Sequence, residues 1–274
     1  MAALRPARAL QHAILAAATL VALAPTVFML LTALKSQDEY TFNKAGWPQA
    51  PILDHFRSVL FEGSFMAWML NSIILALGAV ALSTLVSCLG AYAIARMRFF
   101  GRMALFSTST ALMAVPPVVM IVPLFVLYTQ LGLISTYQGA ILIYAGLITP
   151  FSVYLLTSFF RTLPNELFDA ARIDGAGDFR ILWQIVVPLS AAPLVTLLVV
   201  NALYVWNDLL IAIIFLQDDA KRTLMAGISV FQGRYNDQIP LTMAGMAFAS
   251  APMILLYVAF QKYYVQGLLA GSVK

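Results

Sequence analysis

Charge is what this sequence has least of: acidic and basic side chains make up 10% of its 274 residues, against roughly a quarter in ordinary soluble domains. A water-facing surface cannot be assembled from so little. That excludes a soluble globular protein and leaves the bilayer as the solvent. Cysteine is almost absent, and Cys88 stands alone inside an apolar run. No intrachain disulfide can form, and the residue says nothing about redox compartment. The two histidines, His12 and His55, fall on opposite sides of the membrane in the topology below. Neither joins carboxylates or a nucleophile in a plausible pocket. The G-x-x-x-x-G-K-[ST] loop that cradles nucleotide phosphates is missing throughout. The chain therefore reads as one without catalysis, metal or cofactor of its own.

What the sequence has in abundance is long apolar stretches, apolar residues forming 62% of the whole. About 20 such residues cross the hydrocarbon core as a helix. Six runs meet that length: His12–Leu34, Trp68–Ala95, Met103–Leu131, Gln138–Phe160, Val186–Leu216 and Leu241–Phe260. Helices are required, because backbone groups in lipid must find partners within their own segment. Asp208 is the only acidic or basic residue inside those limits. Ala22-Leu23-Ala24 resembles a signal-peptide cleavage site, yet apolar residues continue from Val27 to Leu34, so an uncleaved span is expected.

Loop charge sets the orientation. With the N-terminus inside, ten basic residues fall on the cytoplasmic side and six outside. Both termini are then cytoplasmic, and the net charge of +4 reflects topology rather than a nucleic-acid patch. The expected fold is an all-α membrane protein of six transmembrane helices. Its divisions are residues 1–67 (first span and outer segment), 68–264 (a five-span core) and 265–274 (a cytoplasmic tail). Two outer segments, Lys35–Ala67 and Gln217–Pro240, exceed simple turns. Solvated connection is the plain reading of both, and the role of the first is left open. Pro116-Pro117, Pro150 and Pro252 are expected to kink their spans, as hinges or as static bends.

One cytoplasmic stretch breaks the apolar pattern: LPNELFDAARIDGAGDFRILWQIVVP, Leu163–Pro188. Pro164 suits the first turn of a helix, and Asn165 and Glu166 suit its cap and dipole. Leu167, Phe168, Ala170 and Ala171 fall on one arc; Glu166, Asp169 and Arg172 fall on the other. Gly175 is placed to end this helix in a left-handed conformation. Asp178 is a candidate cap for a second short helix, Phe179–Ile185, and Pro188 opens the fifth span. The product is an elbow whose exposed arc is small and apolar. An amphipathic connector on the headgroups is the competing reading. Its acid-rich polar arc suits an anionic surface poorly, and adjacent alanines let another protein's backbone approach closely.

These residues resemble the EAA loop of bacterial ABC importer permeases. Asp169, Ala170 and Ala171 occupy the Glu-Ala-Ala positions, Gly175 follows at the family spacing, and Ile185, Val187 and Pro188 match Ile-x-Leu-Pro. Aspartate replaces the first glutamate, and valine replaces the leucine. LNSIILALGAVALSTLVSCLGAYAIARMRFFGR (Leu70–Arg102), WNDLL (Trp206–Leu210) and VQGLLAGSVK (Val265–Lys274) are similar to the maltose-type, carbohydrate-uptake branch. The family's usual final glycine is absent. The resemblance implies a permease subunit of the bacterial inner membrane that forms half of a sugar pathway. Its implied partners are a second, different permease, two copies of a cytoplasmic ATPase carrying ATP and Mg, and an extracytoplasmic sugar-binding protein.

By the same resemblance the elbow is a coupling helix gripped by the ATPase. Glu166, Asp169, Ala170, Ala171, Asp174, Gly175, Ile185 and Pro188 are its expected contact and transmission residues. The tail through Lys274 either reaches between the ATPase subunits or is disordered. The loop Gln232-Gly233-Arg234-Tyr235-Asn236 is expected to meet the docked binding protein. Asn71, Tyr154, Asn201, Tyr204, Asn207 and Asp208 are the candidates for lining the route of an uncharged polar solute, each alternatively a polar tie between helices. An ion-coupled secondary transporter is the rival function. It would call for buried ionisable relays and inverted repeats, and the sequence offers only Asp208 and no convincing repeat. A membrane enzyme is the third, opposed by the missing catalytic set.

Overall fold

A computed structural model describes residues 4–61, 63–234 and 238–272. All regular structure among these residues is helical. The chain begins with α1 (Leu4–Ala33), α2 (Gln37–Phe42), α3 (Asp54–Phe61) and α4 (Phe65–Arg96). Next come α5 (Arg102–Leu112), α6 (Pro117–Gln130), α7 (Tyr137–Phe160) and α8 (Asn165–Ile173). The short α9 (Asp178–Ile181) runs through a π turn, Leu182–Val186, into α10 (Val187–Leu189). Finally α11 (Ala191–Asn207), α12 (Leu210–Phe215), α13 (Leu224–Arg234) and α14 (Ile239–Ser272) complete it.

Among the described residues four helices are long and apolar enough to cross a bilayer: Arg8–Ala33, Phe65–Arg96, Tyr137–Phe160 and Ile239–Lys262. They coincide with four of the six apolar runs. The other two runs are bent, by 102° between Arg102–Leu112 and Pro117–Gln130 and by 81° between Asp178–Leu189 and Ala191–Asn207. The first bend has a plain cause. Pro116 is extended (φ −62°, ψ 130°) and Pro117 starts α6, where its missing amide costs nothing. Pro150 and Pro252, by contrast, lie inside the continuous helices α7 and α14.

The chain divides into two compact units, Met1–Met66 with Gly227–Ala251, and Ala67–Ala226 with Pro252–Lys274. In the first, the segment after α1 is a folded piece rather than a bare connection. Lys35 is fully buried, and its ammonium donates to the carbonyls of Asn43 (2.6 Å) and Lys44 (3.2 Å). The Lys35 carbonyl faces His55 Nε2 at 3.0 Å, and Ile52 N donates to Leu34 O. Phe248 meets Phe56 edge-on and Phe65 at a tilt.

The second unit holds two apolar cores. One gathers Leu75, Ala79, Tyr144, Ile148, Ile211 and Phe215 from α4, α7 and α12. Asn71 stands beside it and draws in the loop after α12. Its amide donates to the carbonyls of Ala220 and Arg222 (2.9 Å each) and accepts from the Tyr137 hydroxyl (2.7 Å). The other core gathers Cys88, Tyr92, Leu156, Phe160 and Leu197 around the residues of the elbow. The expected outer loop Gln217–Pro240 contains α13, whose Leu224, Ala226 and Ile228 are apolar and buried.

A buried ammonium that leaves two carbonyls unserved when deleted destabilises by about 2 kcal/mol. Lys35→Met, which keeps much of the stem, is expected to hasten proteolysis between residues 37 and 61 in vesicles exposing that segment. Cleavage at the parent rate would refute the anchoring role.

Candidate functional site

The elbow is built from backbone chemistry first. Pro164 is extended (φ −60°, ψ 140°) and precedes α8 without a side-chain cap. Asn165, expected to cap, instead offers Oδ1 to Arg96 Nη1 at 2.8 Å. At the far end Gly175 adopts φ +78°, the region glycine enters without strain. Its amide bonds Arg172 O (3.0 Å), and the next amide, Ala176, bonds Ala171 O (2.9 Å). That pair of bonds is the Schellman closure. Nothing lies within 4 Å of where a Cβ on Gly175 would stand, so a substitution there meets backbone strain and not a clash.

The phase of α8 differs from the expected arc. Phe168 and Ala171 are buried, whereas Leu167 and Ala170 are exposed and Ile173 is 86% exposed. The reason is the ring of Phe168. Burying a phenylalanine gains about 2–3 kcal/mol, and a hole lined by Tyr92, Phe160 and Ile181 accepts it. The helix rotates to suit, so Ala171 turns inward with Phe168 and the two alanines do not share one exposed face. Glu166, Asp169, Ala170, Asp174, Gly175 and Pro188 remain at the surface, and Ile185 is half-buried. Asp178, expected as a cap, does not cap α9 through its side chain. Its Oδ1 accepts from the Tyr92 hydroxyl at 2.9 Å and lies 3.5 Å from Arg172 Nη2. After it the π turn leads to Pro188, and Ser190 Oγ turns back onto Val186 O at 2.6 Å.

The structure separates the candidate path residues. Asn201 and Tyr204 share a cavity of about 490 Å³, walled by Met113, Met120, Tyr128 and Phe151. Those walls were not singled out from the sequence, where apolar residues of a span carry no mark. Asn201 also donates to Ser152 Oγ (2.8 Å), tying α11 to α7. Asn71 is committed to its loop and to Tyr137, as above. Tyr154 stacks on Phe106 with centroids 6.2 Å apart. Asn207 is turned back onto Leu203 O at 2.8 Å. Asp208 is a structural cap: its Oδ1 accepts from Tyr144 OH (2.8 Å), Ile211 N (3.0 Å) and Ala212 N (3.3 Å). Gln232, Gly233 and Arg234 form the end of α13. Tyr235 and Asn236 lie outside the described residues, as does Lys274 of the tail.

Several helices long and apolar enough to cross a bilayer, with a glycine-closed turn between two apolar segments, define the class of a polytopic helical membrane protein. Residues 86–269 match the family described as the binding-protein-dependent transport system inner membrane component, and the chain belongs to that family of ABC importer permeases. It is 34% identical over 251 residues to the sulfoquinovosyl glycerol transport system permease protein SmoH of Agrobacterium fabrum, covering 91% of this chain and 88% of that one. With the melibiose/raffinose/stachyose import permease protein MelC of Bacillus subtilis it shares 33% over 251 residues, 91% of each. Its fold is also that of a chain from a bacterial ABC transporter involved in the import of the acidic polysaccharide alginate. There the TM-score is 0.82 at 23% identity, over 95% of this chain and 97% of that one. The family is one of transport subunits, not of catalysts.

Asp208→Ala removes one acceptor from a buried tyrosine and two helix-end amides, a loss of about 2 kcal/mol. Asp208→Asn keeps an oxygen in place. The alanine variant is expected to melt clearly lower in detergent, and the asparagine variant to lose less than half as much. Equal losses would contradict the capping role.

Proposed function

We propose that this chain is one of two permease subunits of an ATP-driven, binding-protein-dependent importer for a sugar or oligosaccharide. In this reading it spans the bacterial inner membrane six times, each bent helix pair counting as one span, with both termini in the cytoplasm. A second, different permease completes the pathway. Two copies of a cytoplasmic ATPase, with ATP and Mg, drive it, and an extracytoplasmic sugar-binding protein delivers the solute. The carrying observation is end-to-end similarity to permeases whose names give saccharide and glycoside cargo, at 91% of each chain for MelC.

The physical reading agrees with an uncharged cargo. Asp208, the sole charge within the apolar runs, is committed to Tyr144 and the start of α12, so it is poorly placed to serve as a proton or sodium relay. The cavity beside Asn201 and Tyr204 has the size of a small-molecule site and the mixture such sites use, apolar walls with a few polar groups. The exposed side of the elbow, with Glu166, Asp169, Ala170 and Gly175, is the surface offered to the ATPase. Pro188 passes its displacement to the fifth span.

Purification in mild detergent is expected to bring down an ATPase and a second permease with this chain. Isolation as an active lone transporter would overturn the reading in favour of the ion-coupled alternative. Gly175→Leu places a branched side chain at φ +78°, a strain of about 1–2 kcal/mol. It is expected to reach the membrane yet to abolish uptake, and normal uptake by that variant would refute the coupling assignment. Asp208→Asn is expected to leave transport dependent on ATP; uptake driven by an ion gradient without ATP would contradict it.

A further inference from the structure

We infer that the elbow has a second mechanical attachment, to the cytoplasmic end of α4, made by Arg96 and Tyr92 as positioning residues. The inference rests on the reading of the elbow as the ATPase contact, and adds a route by which its displacement reaches the pathway. The chain itself supplies a route at each end of the elbow, back through residues 161–164 into α7 and onward through the π turn and Pro188 into α11.

Arg96 is the last residue of α4, and its guanidinium holds the whole approach to α8. One Nη donates to the carbonyls of Phe160 and Leu163, and the other to Asn165 Oδ1 at 2.8 Å. The Phe160 and Leu163 carbonyls lie where α7 ends, and a helix end leaves such groups without intrahelical partners and favours a cation. The same guanidinium lies 4.0 Å from the centroid of Phe168, the side chain that sets the rotation of α8. Four groups on three consecutive segments therefore converge on one side chain. Lysine could not reproduce this, because its ammonium lacks the planar fork that serves several acceptors at fixed angles.

One turn earlier on α4, Tyr92 grips the second arm. Its ring is buried among Cys88, Ala91 and Phe168, and its hydroxyl donates to Asp178 Oδ1 at 2.9 Å. Positions 92 and 96 are i and i+4 on one helix, so both point the same way. They clasp the elbow on either side of Gly175. A rigid helix held at two points moves with what holds it. α4 carries Leu75, Ala76, Ala79 and Val80 into the core shared with α7 and α12, so a displacement received at Arg96 and Tyr92 arrives there without crossing the π turn.

The test is the ratio of solute transported to ATP hydrolysed by the complete complex in proteoliposomes. Arg96→Gln is expected to lower that ratio about tenfold, a typical coupling free energy, while the ATPase still co-purifies. Tyr92→Phe keeps the packed ring and removes one hydroxyl bond, and is expected to lower it about threefold. A merely structural role would reduce yield and leave transport per ATP unchanged. A parent ratio in both variants, with the ATPase bound, overturns the second attachment alone. Failure of the ATPase to co-purify with the unaltered chain overturns the elbow reading, and this inference with it. Should Arg96→Gln fail to assemble, Tyr92→Phe decides between the two outcomes.

Discussion

Wherever a helix stops in or near hydrocarbon, its last carbonyls or first amides must find a partner, since lipid supplies none. Four polar side chains of this protein answer that demand. Asp208 meets the first amides of α12 after α11 ends. Arg96 meets the last carbonyls around the end of α7. Asn71 takes two carbonyls of the loop beyond α12, and Lys35 takes two from the segment after α1. Each is an isolated polar residue in or beside an apolar run. Each stands where a chain break has to be sealed.

This explains which parts of the molecule were legible in the sequence. Apolar run length alone located the four long helices, because lipid imposes a length that needs no tertiary information. The elbow was legible for a different reason. The closing turn at Gly175 is local backbone chemistry, written into a few neighbouring residues. The rotation of α8 was not, since it depends on a hole lined by Tyr92 and Phe160, residues remote in sequence. Asp208 and Asn71 were visible as polar exceptions, but an exception tells only that a partner exists. Only the fold says whether that partner is a solute or a severed helix end.

The segment after α1 makes the same point. Tryptophan, prolines and a histidine suggested more than a tether, yet solvated connection stayed open. The deciding residue, Lys35, reads in sequence as an ordinary charge at a membrane boundary. Its burial follows from carbonyls at Asn43 and Lys44 that a short helix, α2, places within reach. No pattern of spacing announces a lysine that folds a loop around itself.

The elbow's two ends are built differently, and the difference bears on how force would cross it in the proposed coupling. Its first helix is closed by a Schellman turn, seated by Phe168 and bound at its approach by Arg96. Its second arm passes through a π turn, in which Val187 N reaches back to Leu182 O. One residue later Pro188 has no amide to give, so an α-helical ladder could not have continued unbroken there. The wider turn absorbs that missing donor, and Ser190 Oγ occupies Val186 O beside it. A push on α8 that travels onward along the chain must cross this joint and the 81° corner after it before reaching α11. A push that travels through Arg96 and Tyr92 meets an unbroken helix, α4, 32 residues long. Of the onward path through the π turn and the side-chain path into α4, the stiffer is therefore the one that the chain does not make covalently.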